Sequence, residues 1–351
     1  MIASMSTSTL SSSPASTHRR QRPAPAAAAT RGTTIPASQL LEVAKQAAAA
    51  GATVVMDAAD APRRVMRKGD ALDVVTVTDQ QAEAAVVRAI ARALPDHAVL
   101  GEEGGLVRGG GGGGGGGASE SDYLWVIDPI DGTANFAHAL PSFAVSVGVL
   151  RHATPVAGVI VEFTGGPGGW GTRTYSASRN GGATVDGRAL QCSRVSELSQ
   201  SVVACESCWY GSTRPEDDAE NPWARAVWPA QRELVDALAR RVRGLRCSGS
   251  AAVNLARVAS GQCDAYVQWW LKPWDVAAGV LLVEEAGGRV ATTDGAAYSI
   301  FDQSLLASND ALFPLLLERT EPLTARMFEQ GVKLGPVGVP PGYGVRAGRQ
   351  M

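Results

Sequence analysis

The 351-residue chain balances 32 Lys and Arg against 34 Asp and Glu, a net charge of −2, so no long-range field draws it to nucleic acid or to an anionic membrane. Its 45% apolar content is ample for one large core or two, and no apolar run reaches the roughly 18 residues needed to span a bilayer. Cys192, Cys205, Cys208, Cys247 and Cys263 follow neither a secreted disulfide framework nor a zinc spacing, which points to a reducing compartment.

The first 41 residues contain no acid, are dominated by Ser, Thr, Ala and Pro, and carry Arg19, Arg20, Arg22 and Arg31. This composition predicts an organelle transit peptide over residues 1–34, because no apolar segment marks a secretory signal. A disordered tail without an address is the plainer alternative. Ser38 is expected to cap a helix in which Leu40, Val43, Ala44 and Ala47 share one face. Thr78-Asp79-Gln80-Gln81 reads as a capping box, after which Ala82, Ala85, Val86, Ala89, Ile90 and Ala93 trace an apolar face until Pro95 stops the helix. Asp79 then lies in a first turn, where capping alone would account for it.

Ala98-Val99-Leu100 predicts a strand, followed by the acidic turn Gly101-Glu102-Glu103-Gly104. The glycines at 109–117 lose too much entropy on ordering and predict a flexible surface loop. Leu124-Trp125-Val126-Ile127 predicts a buried strand that leads into Asp128-Pro129-Ile130-Asp131-Gly132-Thr133. Pro129 biases Asp128 toward extended backbone, so the strand is expected to end at Asp128 and Asp131 to point back beside it. Two carboxylates held together call for a cation, and a hard ion such as Mg²⁺ prefers their oxygens, to which the Ile130 carbonyl can add one. Gly132 lets a phosphate approach the Gly132 and Thr133 amides. For this fragment alone, an Asx-type turn with solvated acids fits as well.

Residues 142–150 and 155–161 predict neighbouring strands, and Asp186-Gly187 predicts a hairpin turn. The Cys205-Glu206-Ser207-Cys208 spacing suggests a thiol switch but lacks the helix that opens at the first cysteine of a thioredoxin-type motif. An amphipathic helix is expected over 223–241, Ser250 is expected to cap a helix over 251–259, and Ala265-Tyr266-Val267-Gln268 predicts a strand. Pro273-Trp274-Asp275 opens a helix that buries Val276, Val280 and Val283 and stops at Gly287-Gly288. Alone, Asp275 reads as a helix cap. Residues 335–351, rich in Gly and Pro, predict a disordered tail.

The acidic turn, the Asp128–Thr133 motif, the segment Asp73-Val74-Val75-Thr76-Val77-Thr78-Asp79 and Lys272-Pro273-Trp274-Asp275-Val276-Ala277-Ala278-Gly279, in this order, resemble the inositol monophosphatase family of Mg²⁺-dependent, lithium-sensitive phosphatases. The resemblance covers roughly residues 36–320 and is nearest to the family's plastid branch in plants and green algae. It implies an α/β fold, a layered αβαβα sandwich of the inositol monophosphatase and fructose-1,6-bisphosphatase type. The N-terminal α+β half would span 35–190 and the C-terminal α/β half 191–334. It implies two or three Mg²⁺ ions on Glu102, Asp128, the Ile130 carbonyl, Asp131 and Asp275, with Asp128 bridging two of them. Glu102 and Thr133, supported by Asp79, would prepare the attacking water. Lys68 and Asp79 would lie at a mobile loop with a weaker third metal. Substrate contacts would come from Asp131, Gly132, Thr133, Ser250, Ala251 and Gln268. Gln268 departs from the family's usual Glu, and an amide keeps one acceptor while adding donors.

The expected activity is hydrolysis of myo-inositol 1-phosphate by a homodimer in the plastid stroma, with the mitochondrion second. The expected partner is a small phosphorylated polyol, with no nucleic acid and no membrane. The alternatives are another small phosphate ester (histidinol phosphate, a sugar phosphate or a 3′-phosphoadenosine nucleotide) or a catalytically silent metal-binding scaffold.

Overall fold

The computed structural model describes residues 34–61, 65–67, 74–107, 122–206, 223–341 and 343. Residues 1–33 of the expected transit peptide, Lys68, the polyglycine run and Cys208 therefore lie outside the described residues. Helix α1 (Ala37–Ala58) starts at Pro36, whose carbonyl accepts from Gln39 N and Leu40 N. The fixed proline backbone leads the chain into the helix, so Ser38 lies inside the first turn and is not its cap. The pair β1 (Val65–Arg67) and β2 (Val74–Thr76) is antiparallel. Helix α2 (Val77–Ala93) follows β2 without a linker, which places Thr78 within the helix and leaves no room for the expected capping box. Asp79 sits in that first turn and is fully buried.

The next strands build one eight-stranded sheet: β3 (Ala98–Gly101), β4 (Gly105–Val107), β5 (Tyr123–Asp131), β6 (Phe143–Arg151), β7 (Thr154–Thr164), β8 (Gly171–Ser178), β9 (Gly182–Val185) and β10 (Arg188–Ala189), with the short helix α3 (Thr133–Ala137) between β5 and β6. Its order is β10-β9-β8-β7-β6-β5-β3-β4, antiparallel except for β3 beside β5. Asp186 and Gly187 both take positive φ, 47° and 79°, which gives the tight turn expected between β9 and β10. A second sheet of order β12-β11-β13-β15-β14 contains β11 (Val202–Cys205), β12 (Gly244–Arg246), β13 (Ala265–Trp269), β14 (Arg289–Ala291) and β15 (Ser304–Ser308). Its helices are α4 (Trp228–Ala239), α5 (Ala251–Ala259), α6 (Pro273–Glu285) and α7 (Phe313–Glu329). The helix expected over 223–241 divides into a π turn at Trp223–Val227 and then α4, whose Pro229 belongs in the first turn of a regular helix.

Alternation along the strands sorts the side chains into three cores. Trp125 and Ile127 of β5 pack on α1 and α2 through Leu40, Val55, Val86 and Ile90. Leu124 and Val126 face the other way, toward Leu255 and Val258 of α5, Val276 and Leu281 of α6, and Tyr266 and Leu305 of the second sheet. Val203, Val267 and Leu306 on the far face of that sheet meet Leu234 of α4 and Leu316 of α7. The result is a helix–sheet–helix–sheet–helix sandwich. Helix α6 lies in its centre and is buried on nearly every side, beyond the single face that the Val276, Val280 and Val283 spacing suggested.

Residues 335–341 and Tyr343, expected within a disordered tail, take defined places. Val337 N donates to Phe301 O at 2.9 Å, and Tyr343 is 5% exposed within the central core, because its ring finds an apolar site that composition does not register. Among the described residues, no helix is long and apolar enough to cross a membrane.

Candidate active site

Strand β5 is buried throughout and carries the first two acids. Asp128 pairs with Ser146 of β6 and Asp131 with Ala144, so three steps on β5 answer two on β6. This bulge corrects the expectation that the strand stops at Asp128: Pro129 offers no N–H, a bulge tolerates that, and pairing resumes at Asp131. Ile130 N donates to Asp128 Oδ1 at 3.0 Å, so the Asx turn is present together with the acidic pair. Gly132 then adopts φ 93°. A Cβ there would lie 3.0 Å from Ser142 O and 3.1 Å from Gly249 O, so the turn requires glycine.

Asp275 arrives from α6. It is the third residue of that helix, and its Oδ2 accepts from Lys272 N at 2.7 Å, so it caps the helix as well as facing β5. An oxygen from each of Asp128, Asp131 and Asp275 lies within 4.8 Å of the others. Burial holds the Asp128 carboxyl well above the usual carboxylate range, and the charges of Glu102, Asp131, Asp275 and Asp79 push it further. Asp275 is raised by burial and then by Asp131. Burial also lifts Asp131, against the hydrogen bonds it receives, to about 6. Asp128 and Asp275, whose ionisation the neighbouring acids oppose, form with Asp131 a hard-oxygen donor set, which fits a divalent cation. The Ile130 carbonyl beside them accepts from Thr133 Oγ1 at 3.0 Å and retains a second lone pair.

Three further sets of contacts hold this arrangement. Asp131 Oδ2 accepts from Ser250 Oγ and Ala252 N, each at 2.6 Å, while Ala251 N reaches Oδ1 at 3.3 Å. The N-terminus of α5 is thus fastened to β5, and Ser250 is the expected cap, accepting from Val253 N. Thr133 Oγ1 also lies 3.2 Å from Asp79 Oδ1, which joins α2 to α3. Glu83, 7% exposed, receives Glu103 N at 2.9 Å and Gly104 N at 2.6 Å. Its carboxylate fills the space that Cβ atoms on Gly101 and Gly104 would occupy, so the turn bearing Glu102 is moulded around it.

The structure therefore brings Asp79, Asp128, Ile130, Asp131, Thr133, Ser250, Ala251 and Asp275 together. Glu102 stands outside the three-carboxylate group, although its charge acts on Asp128 and Asp275. Gln268 is 4% exposed, and its Oε1 accepts from Glu206 N at 3.2 Å and Gln231 Nε2 at 3.3 Å. Its link to Asp131 is indirect. Glu206 Oε1 receives Ser248 N, Gly249 N and Asn254 Nδ2, and the next residue is Ser250. Asn135 Nδ2 reinforces the same segment, donating to Ser142 O and Ser248 O at 2.7 Å each. Trp269 packs in the core, its Nε1 donating to Thr293 Oγ1 at 2.9 Å. Sequence reasoning did not find Glu83, Asn135, Glu206 or Asn254, because long-range contacts to backbone amides leave no periodic signal.

The inositol monophosphatase family model matches residues 37–329. The chain is similar to the Arabidopsis thaliana protein named "Phosphatase IMPL1, chloroplastic", 45% identical over 305 residues that cover 87% of this chain and 76% of that protein. It is also similar to "Inositol-1-monophosphatase" of Synechocystis sp., 33% identical over 269 residues, 77% of this chain and 84% of that protein. A solved structure of inositol monophosphatase from Anabaena (Nostoc) sp. superposes with a TM-score of 0.63 at 32% identity and covers 82% of this chain and 98% of that one.

Proposed function

Because the chain belongs to the inositol monophosphatase family and is a phosphatase of small phosphorylated substrates, we propose that it hydrolyses myo-inositol 1-phosphate with Mg²⁺ held by Asp128, Asp131, Asp275, Glu102 and the Ile130 carbonyl. The observation that carries this reading is the convergence of three carboxylates, each offering an oxygen within 4.8 Å of the others. Mg²⁺ bound there supplies Lewis acidity, lowering the pKa of water and offsetting phosphate charge.

The chain's own groups do the rest. Thr133 Oγ1, held between Asp79 and Ile130 O, orients the attacking water, and Glu102 takes its proton. The Gly132 and Thr133 amides face the phosphate where the left-handed turn removes any side chain. Ser250 and Ala251 seat Asp131, so the substrate hydroxyls meet a carboxylate fixed in place. The same proposal includes lithium sensitivity, a homodimer and a plastid location. The last is supported by the acid-free N-terminus and by the relative named chloroplastic.

One observation favours a second reading. Gln268 offers an amide, with its oxygen already engaged, which suits a sugar, histidinol or nucleotide phosphate as well as inositol phosphate. Phosphate release from a panel of inositol, galactose, histidinol, fructose and nucleotide phosphates, with Mg²⁺ and with added Li⁺, separates these. Fastest Mg²⁺-dependent release from inositol phosphate is expected. Preference for another ester would select the second reading, and no release from any would leave the silent scaffold.

A further inference from the structure

Strands β11 and β12 run parallel, with Val203 beside Leu245 and Ala204 beside Arg246. The next step along that register sets Cys205 beside Cys247. Paired strands lie about 4.8 Å apart, inside the roughly 4.4–6.8 Å Cα spacing that a disulfide bridges. The two thiols share a hydrogen bond, which together with burial pushes the Cys205 thiol up. Cys205 is buried and Cys247 exposed, so one thiol of the pair is open to a reagent and the other waits behind it.

The residues that follow each cysteine hold the segment that leads into the seat of Asp131. Glu206 follows Cys205, and its Oε1 receives Ser248 N and Gly249 N at 3.2 and 3.0 Å. Ser248 follows Cys247, and Ser250 binds Asp131. Gly249 has φ 71°, and a Cβ there would lie 3.1 Å from Asn135 Nδ2, so this segment has little room to shift without moving its partners.

We propose that Cys205 and Cys247 are a reversible disulfide pair whose closure pulls the start of the Ser248–Ser250 segment toward β11 and loosens the seat of Asp131. The electrons go to a low-molecular-weight disulfide. The exposed Cys247 thiolate attacks one sulfur of RSSR and expels RS⁻, leaving a mixed disulfide. Cys205, on losing its proton, attacks Cys247 Sγ and expels the second RS⁻. Two protein thiols and one RSSR become one protein disulfide and two RSH. The sequence points to Cys205 with Cys208, which lies outside the described residues; the fold adds Cys247 as a cross-strand partner.

The bridge stands on the strand register and the contact between the two thiols, whereas its effect on the cation rests on the metal-site reading above. The test treats the full chain with glutathione disulfide or dithiothreitol, maps cross-linked peptides by mass spectrometry and measures Mg²⁺ affinity calorimetrically. Expected are a Cys205–Cys247 peptide in the oxidised protein, Mg²⁺ affinity weakened about tenfold, the scale for groups that orient metal ligands, and recovery on reduction. Cys247→Ser should bind Mg²⁺ like the reduced protein and ignore the oxidant, whereas Cys208→Ser should still form the bridge. No Cys205–Cys247 peptide, a Cys205–Cys208 peptide in its place, or a bridge that leaves Mg²⁺ affinity unchanged would overturn the proposal. A bridge in a protein whose reduced form binds no Mg²⁺ would instead overturn the metal-site reading and leave the disulfide standing.

Discussion

Asp128 concentrates the chemistry of the site in one side chain, because it is buried beside Asp131 and Asp275 and its ionisation is opposed by both. Asp128→Asn should therefore have two opposite effects. Turnover should fall by more than about 100-fold, the upper scale for outer-shell partners of a metal, which a direct ligand exceeds. Near neutral pH, melting without divalent cation should move upward, because an amide escapes the cost of burying an ionisable carboxyl among other acids. Unchanged turnover, or a lower metal-free melting temperature, would contradict the role given to it. Asp131 adds a pH dependence whose sign is fixed. Its carboxyl rises from 3.8 to about 6 on folding, so between those values the folded chain keeps a proton that the unfolded chain has lost. Its contribution to metal-free stability is complete below the lower value and disappears as pH rises through the higher one. If Mg²⁺ takes these oxygens as proposed, protons compete with it, so the rise in melting temperature on adding Mg²⁺ should be small near about pH 5 and larger near about pH 7.5. An equal rise at both would exclude this competition.

At the scale of elements, the bulge of β5 and the turn after β3 present the acids, and both depend on glycine and on a buried carboxylate. Gly132→Ala forces an L-residue into left-handed backbone, at a cost of about 1–2 kcal/mol. It also drives a methyl against Ser142 O and Gly249 O, so stability and activity should fall together in melts and assays. Glu83→Ala removes the acceptor for Glu103 N and Gly104 N and frees the turn that bears Glu102. A loss of about 10–100-fold, mostly in kcat, is expected, with partial rescue by Glu83→Gln. A change confined to KM would show that the turn does not act through Glu102. The contrast between these residues shows what was legible in the sequence. Asp128, Asp131 and Gly132 are close in the chain and carry their geometry in Pro129 and the glycine. Ser250 was readable as a cap because the helix after it has a clear period. Glu83 was not, because it sits on α2 among ordinary helical residues and its partners lie 20 and 21 residues further along the chain. Ser38 and Thr78 misled for a related reason: what precedes each helix, Pro36 in one case and β2 in the other, decided where it began.

Across the whole molecule, the five layers fix the distance between β5 and α6, and so the distance between Asp128 and Asp275. Contact is close because small residues meet. A Cβ on Gly148 would lie 2.6 Å from Ala277 Cβ, and one on Gly158 would lie 2.8 Å from Ala278 Cα. Gly158→Val should push α6 off the first sheet, costing about 1–3 kcal/mol by overpacking, and weaken Mg²⁺ binding through Asp275 with every ligand still present. Calorimetric titration of the folded variant checks this, and wild-type affinity would show that the layer spacing does not set the site. The alternation of Trp125 and Ile127 with Leu124 and Val126 shows two buried faces of one strand, but which helices cover each face emerges only from the fold. The most direct test of the metal-dependent phosphatase reading is phosphate release from myo-inositol 1-phosphate by the full chain, measured as Mg²⁺ is titrated into protein stripped with a chelator. Release that is absent without Mg²⁺, rises to saturation with it and is lost in Asp128→Asn is expected. Release that continues unchanged in excess chelator would contradict it.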